Sequence, residues 1–82
     1  MRNDHFFVYI LTSSNGNVMY IGITNDLIRR VTEHKSGMID GFTKRYHIHK
    51  LVYYEMFGDV REAIMQRKAI EKLVESEEKP IG

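Results

Sequence analysis

Two short runs, Phe6-Phe7-Val8-Tyr9-Ile10-Leu11 and Val18-Met19-Tyr20-Ile21-Gly22-Ile23, are rich in β-branched and aromatic residues, and Ser13-Ser14-Asn15-Gly16-Asn17 separates them. Asn-Gly between two such runs predicts a β-hairpin, because a type I′ turn needs positive φ at both central residues. With Asn15 and Gly16 at the turn centre, Tyr9 faces Gly22 and Leu11 faces Tyr20. Alternation then sorts the side chains. Val8, Ile10, Met19, Ile21 and Ile23 take one face; Phe7, Tyr9, Leu11, Val18, Tyr20 and Gly22 take the other. Tyr9 and Tyr20 become diagonal neighbours about 7–8 Å apart at the backbone, within reach for aromatic rings. Gly22 opposite Tyr9 leaves room for a close approach.

After the hairpin the period changes. Thr24-Asn25-Asp26 supplies capping residues for a helix over Leu27 to Lys35, and Gly37 is placed to end it. Leu27 and Val31 form its apolar stripe, and Arg30 and His34 stand one turn apart beside it. Residues 36–48 read as a mobile basic loop containing Gly41, Thr43, Lys44 and Arg45, and Lys50 to Met56 reads as a third strand. Asp59-Val60-Arg61-Glu62 has the pattern of a capping box and opens a helix running to about Glu75. Val60, Ala63, Ile64, Ile70 and Val74 mark its inward face, and Arg67 falls on that same face. A charged residue there either snorkels to the edge or belongs to a site. The order β-β-α-β-α predicts an α+β domain, a small three-stranded antiparallel sheet flanked by helices.

The bulk properties narrow the classes. Eighty-two residues, 43% of them hydrophobic, suffice for a single domain spanning residues 1–82 with a core over about 6–75. Without cysteine, neither disulfides nor thiolate zinc sites are available, which fits a reducing, cytoplasmic setting. No apolar run approaches the roughly 20 residues of a membrane span, and Met1-Arg2-Asn3-Asp4-His5 lacks a signal-peptide pattern, so a soluble chain with no membrane partner is expected. Net charge is only +1. Residues 29–50 nevertheless hold six basic side chains (Arg29, Arg30, Lys35, Lys44, Arg45, Lys50) against Glu33 and Asp40, a balance of +4 that leaves −3 elsewhere. A polyanion could be met by that segment while Glu75, Glu77 and Glu78 face water, although ordinary surface charge gives the same count.

Phe7-Val8-Tyr9 and Tyr20-Ile21-Gly22, with ten residues between the tyrosines, resemble the paired signature of the GIY-YIG endonuclease superfamily. Tyr20-Ile21-Gly22-Ile23-Thr24-Asn25-Asp26-Leu27, then Arg29-Arg30 and Glu33-His34, are similar to its small single-domain bacterial branch. Leu51-Val52-Tyr53-Tyr54-Glu55 and Glu62-Ala63-Ile64 extend the resemblance over roughly residues 6–73. It is also similar to the N-terminal nuclease domain of the excision-repair incision subunit. The first motif carries Phe7 in place of glycine.

The resemblance implies that Tyr20 serves as general base or positions the attacking water, with Tyr9 supporting it by a hydrogen bond. Arg30 would contact the scissile phosphate, with His34 beside the site. Arg29, Lys35, Lys44 and Arg45 are the candidate nucleic-acid contacts. The implied activity is metal-dependent phosphodiester hydrolysis of DNA, structure-specific or repair-related, with Mg2+ or Mn2+ as cofactor. Where the family carries its metal-binding glutamate this chain has Arg67, and Glu71 is a weak substitute one turn on. A nucleic-acid-binding module that does not cleave is therefore the second reading. Without the resemblance, Tyr9 and Tyr20 read as a half-buried pair packing a sheet, Arg30 as a solvated helix residue and His34 as a helix-surface or capping group. His47 and His49, two apart, could ligate a metal, but two imidazoles without a third ligand make a poor site.

Overall fold

The computed structural model describes residues 5–37 and 45–77. The elements run β1 (Phe6–Ser13), β2 (Met19–Thr24), α1 (Leu27–Lys35), β3 (Ile48–Phe57) and α2 (Val60–Glu77). The sheet is antiparallel throughout with order β2-β1-β3, so the first strand lies in the middle. Lys44, Gly41, Thr43 and the side chains of Glu75, Glu77 and Glu78 lie outside the described residues.

The hairpin register is the one the alternation predicts: Tyr9 pairs with Gly22 and Leu11 with Tyr20. The turn differs from type I′. Gly16 has φ +77, but Asn15 is not among the residues of positive φ. The loop instead spans four residues between Ser13 and Val18, whose backbones pair at 2.9 Å. The Asn15 carboxamide oxygen accepts from the Ser13 hydroxyl at 2.9 Å and from the Asn17 amide at 3.1 Å. That local bonding supports Asn15 without a left-handed backbone, so only the glycine has to adopt one.

The third strand is longer than Lys50–Met56 and is irregular. It pairs with β1 from Phe6↔Phe57 to Ser13↔Ile48, with register shifts between Ile10 and Leu11 and between Thr12 and Ser13. The first shift moves the partner from Tyr53 to Leu51, leaving Val52 as the extra residue. Tyr54 and Leu51 therefore lie on the same face as Tyr9 and Leu11.

Each face is covered by one helix. Tyr9, Leu11 and Ile48 form a buried cluster, with Val18, Tyr20, Leu27, Val31 and Leu51 packed against it, so α1 lies over the tyrosine face through its predicted stripe. Asp26 caps α1 by accepting the Arg29 amide, and Gly37, at φ +75, bonds back to the His34 carbonyl to close it. Asp59 begins α2: its carboxylate accepts the Arg61 amide at 2.9 Å and its carbonyl accepts from Glu62 and Ala63. Ala63 is fully buried, letting the α2 backbone approach the face that carries Val8. Among the described residues no helix is long and apolar enough to cross a membrane.

Candidate functional site

The hairpin register and one turn of α1 bring three rings together. Tyr9 projects from the central strand, Tyr20 from the edge strand, and His34 comes down from the last turn of α1. Ring centroids lie 6.2 Å apart for Tyr9 and Tyr20, 6.1 Å for Tyr9 and His34, and 5.6 Å for Tyr20 and His34. The Tyr9 hydroxyl sits 3.4 Å from His34 Nε2. Gly22 makes this arrangement sterically possible. A Cβ there would lie 2.6 Å from the Tyr9 hydroxyl oxygen, 2.7 Å from its Cζ and 2.9 Å from Tyr20 Cε2.

The surroundings set the proton states. Burial pushes the Tyr9 phenol well above its ordinary value; Tyr20 reinforces the rise by its charge and hydrogen bond, while the Arg30 guanidinium opposes it. Tyr9 stays a neutral hydroxyl. Burial also holds His34 below its usual value, and the positive charge of Arg30 pushes the same way while Glu33 counters it. The Tyr9 hydroxyl oxygen and His34 Nε2 share a hydrogen bond, and the imidazole tautomer sets which of the two donates.

Arg30, half exposed, is close enough to act electrostatically on both Tyr9 and His34. The two differ in exposure: His34 is buried, at 7%, and Arg30 faces solvent one turn away. Glu33 is the residue that sequence reasoning missed. It takes Arg29 at 3.2 Å and Arg30 at 3.7 Å, which the i,i+4 and i,i+3 spacing on one helix would have signalled. Arg29, Lys35 and Arg45 are exposed, as solvent-facing cations should be.

The other helix brings different chemistry. Arg67 is half-buried on the inward face of α2, with its Nε enclosed and lacking a hydrogen-bond acceptor. Its nearest carboxylate, Glu71, lies 3.7 Å away, beyond hydrogen-bond distance. Glu71 and Val74 line a recess of about 590 Å³ along the edge strand, together with Tyr20 and Ile21. Glu71 thus reaches the neighbourhood of Tyr20 but is held by a guanidinium. His47 precedes β3 with φ +55 and His49 lies beside a register shift, so the two imidazoles do not stand at ordinary strand spacing. Among the described residues no group of three or more His, Asp or Glu side chains could hold an ion.

Residues 5–81 match the model of the GIY-YIG catalytic domain. The chain belongs to this family, and the assignment gives it a nuclease-like domain of a kind that acts on nucleic acid. Within the family it is similar to the UPF0213 protein of Bacillus pumilus (37% identity over 65 residues, 79% of this chain and 64% of that protein). It is similar also to the UPF0213 protein lin0209 of Listeria innocua (38% over 71 residues, 87% and 77%). The chain thus spans less than two thirds of the Bacillus pumilus relative. The solution NMR structure of the UPF0213 protein BH0048 from Bacillus halodurans has the same fold, with TM-score 0.52 at 28% identity over 92% of this chain and 79% of that one.

The family is generally metal-dependent. The donor set here does not suit a divalent cation: the side chain at the inward position of α2 is itself a cation, and the nearest carboxylate is paired with it. A guanidinium at that position repels such an ion.

Proposed function

We propose that the chain engages a phosphodiester of nucleic acid, DNA in the first instance, over the surface where Tyr9, Tyr20, His34 and Arg30 meet, and hydrolyses it there. The observation that carries this reading is the convergence of two phenols and an imidazole within 6.2 Å centroid separations, beside an arginine whose charge reaches them. Arg30 offers a planar fork to phosphate oxygens and offsets the charge that builds on them during displacement. Tyr20 positions the attacking water beside the neutral His34 imidazole. Tyr9, locked as a neutral hydroxyl, fixes the orientation of its two neighbours. Arg29, Lys35, Lys44 and Arg45 contribute phosphate contacts that position the strand without reading its sequence. A reducing cytoplasmic compartment suits a chain without cysteine.

The test is a cleavage assay on branched, nicked and single-stranded substrates with Mg2+ or Mn2+. Tyr20→Phe and Arg30→Ala should each lower the rate by at least about 100-fold. Variants that cut as well as the parent would overturn these roles.

One observation favours a second reading, a module that binds but does not cleave: Arg67 and Glu71 close the position where a metal-holding carboxylate is expected. Such a module shows salt-sensitive affinity and no product at any enzyme concentration. Metal-dependent cleavage gained by Arg67→Glu, with the parent inactive, would identify this position as the lesion.

A further inference from the structure

A second concavity opens on the same sheet face as the three rings, on the far side of α1. It has a volume of about 640 Å³ and lies between α1 and β3, walled by Phe7, Leu51, Tyr54 and Met56 from the sheet and by Ile28 and Val31 from the helix. Three of these apolar side chains are strongly exposed: Ile28 at 79%, Tyr54 at 57% and Met56 at 54%. A contiguous apolar patch of this kind on a small domain marks a binding surface.

We propose that this groove receives an unpaired nucleobase from the strand whose phosphodiester lies over Tyr20 and Arg30; the inference rests on the function proposed above and narrows its substrate to nucleic acid with at least one unstacked base. Three observations fix the occupant. First, the volume falls within the range of small-ligand pockets, and the wall is aromatic. Tyr54 meets Phe7 edge to face, with centroids 6.3 Å apart and planes at 63°, which leaves Tyr54 ring surface open to solvent. Every base has a π-face to stack on such a ring. Second, polar side chains join the lining: Asn25 just before α1, and Thr32 within it, whose hydroxyl donates to the Ile28 carbonyl and keeps its oxygen as an acceptor for a base edge. Asp26 also borders it, with its carboxylate accepting the Arg29 amide.

Third, the charge suits a strand crossing from one site to the other. Helix α1 separates the sites and carries Arg29, Arg30 and Lys35 against Glu33 alone, and Lys35 lines the groove. Tyr54, Tyr9 and Gly22 form one row across the three strands. Because α1 lies over that row, the strand passes outside the helix along Arg29, Arg30 and Lys35, a path longer than one nucleotide. A fully paired duplex keeps its bases stacked and cannot fill the groove.

The experiment is fluorescence anisotropy in EDTA with a labelled single strand, the corresponding duplex, and that duplex carrying one unpaired base. Wild type should bind the single strand and the bulged duplex more tightly than the paired duplex. Tyr54→Ala should weaken binding to the first two about tenfold and leave the paired duplex unchanged, with Tyr54→Phe retaining wild-type behaviour. Unchanged melting of the exposed Tyr54 variants establishes that they fold. Arg30→Ala should weaken all three ligands alike, because it removes a phosphate contact. Equal affinity of wild type for all three, or a silent Tyr54→Ala while duplex binding persists, overturns the groove and leaves the phosphodiester site standing. Self-association of wild type that Tyr54→Ala abolishes would assign the groove to a second copy and likewise overturn the proposal. Failure to bind any of the three removes the phosphodiester reading and the groove with it.

Discussion

The two faces of the sheet are covered by helices of unequal character. Over the Tyr9 face lies a nine-residue helix that contributes Leu27 and Val31 to a small apolar cluster and brings His34, Arg30 and Glu33 to the rim of the tyrosines. Over the Val8 face lies an eighteen-residue helix anchored by Ala63, which among the described side chains turns one charged residue inward, Arg67, whose Nε finds no acceptor. On the first face, among the described residues, Tyr9 and His34 leave solvent as a pair, each the other's hydrogen-bond neighbour. On the second, a donor is enclosed without one, and its carboxylate neighbour is only about half exposed and stands 3.7 Å away. The lesson is that burial of polar groups indicates a working site only when their proton states and partners agree, as they do for Tyr9 and His34.

The largest expected effect tests whether the tyrosine face is also the mechanical centre. Leu11 is fully buried in the cluster under α1, so Leu11→Ala should cost about 2–5 kcal/mol in denaturant unfolding. A loss below about 1 kcal/mol would show that the cluster contributes little to the fold. Next comes Gly22→Ala. The added methyl meets the Tyr9 hydroxyl and the Tyr20 ring at 2.6–2.9 Å, and Tyr9 is buried at 2% exposure. A destabilisation of about 1–3 kcal/mol is expected, with loss of nucleic-acid engagement, because one ring must leave the cluster. Wild-type stability in this variant would mean that the rings are looser than their packing indicates.

On the opposite face the expected change is small and can be favourable. The Arg67–Glu71 pair is more than a third exposed and contributes less than about 1 kcal/mol. The enclosed Nε carries a desolvation cost of about 1–3 kcal/mol. Arg67→Met keeps the packed stem and removes the orphan donor, so the midpoint of unfolding should hold or rise. A loss above about 2 kcal/mol would reveal an acceptor for this guanidinium and revise the contrast between the faces.

Much of this was legible beforehand. The Asn-Gly spacing set the pairing of Tyr9 with Gly22, and alternation put both tyrosines on one side; these follow from short-range geometry, which a local sequence determines. What escaped has physical reasons. The turn type depended on Asn15 bonding to Ser13 and Asn17, an alternative that competes with a left-handed backbone. The extra residue at Val52 depends on how β3 lies against a strand some forty residues earlier, which no local pattern encodes. Burial of His34 rather than Arg30 follows from the rotation of α1 about its axis, and the Leu27–Val31 stripe fixes that rotation only to within one neighbouring position. Arg67 falls between the alternatives open to it: its Nε is enclosed, yet the side chain keeps 35% of its surface exposed, so it neither snorkels freely nor is fully buried.

The pH response separates the faces further. The folded-state pKa of His34 is depressed, so the unfolded chain takes up the proton first and stability rises with pH through that interval. His34 thus contributes stability above about pH 6.5 that is lost as pH falls toward its folded value. Comparing denaturation of wild type and His34→Gln between pH 7.5 and pH 5 isolates it, and the slope should be shallower in the variant. Equal slopes would mean that the imidazole titrates as it does in the unfolded chain.

The smallest effect on stability is expected from Glu33→Gln, and it bears most directly on how the site is tuned. Glu33 holds Arg29 and Arg30 through contacts at 3.2 and 3.7 Å on an exposed helix surface, so its neutralisation should change stability by less than about 1 kcal/mol. Its charge, however, raises the proton affinity of both Tyr9 and His34, against Arg30, which lowers both. With the carboxylate gone the guanidinium acts unopposed and is released from its ion pair. The His34 pKa, followed by NMR titration of the ring protons, should move further down, while affinity for single-stranded DNA at low salt should rise as Arg30 becomes free to meet phosphate. A pKa that stays in place or moves upward would mean that Glu33 acts only as a helix-surface partner. The electrostatic link between Arg30 and the buried imidazole, on which the comparison of the two faces turns, would then have to run without it.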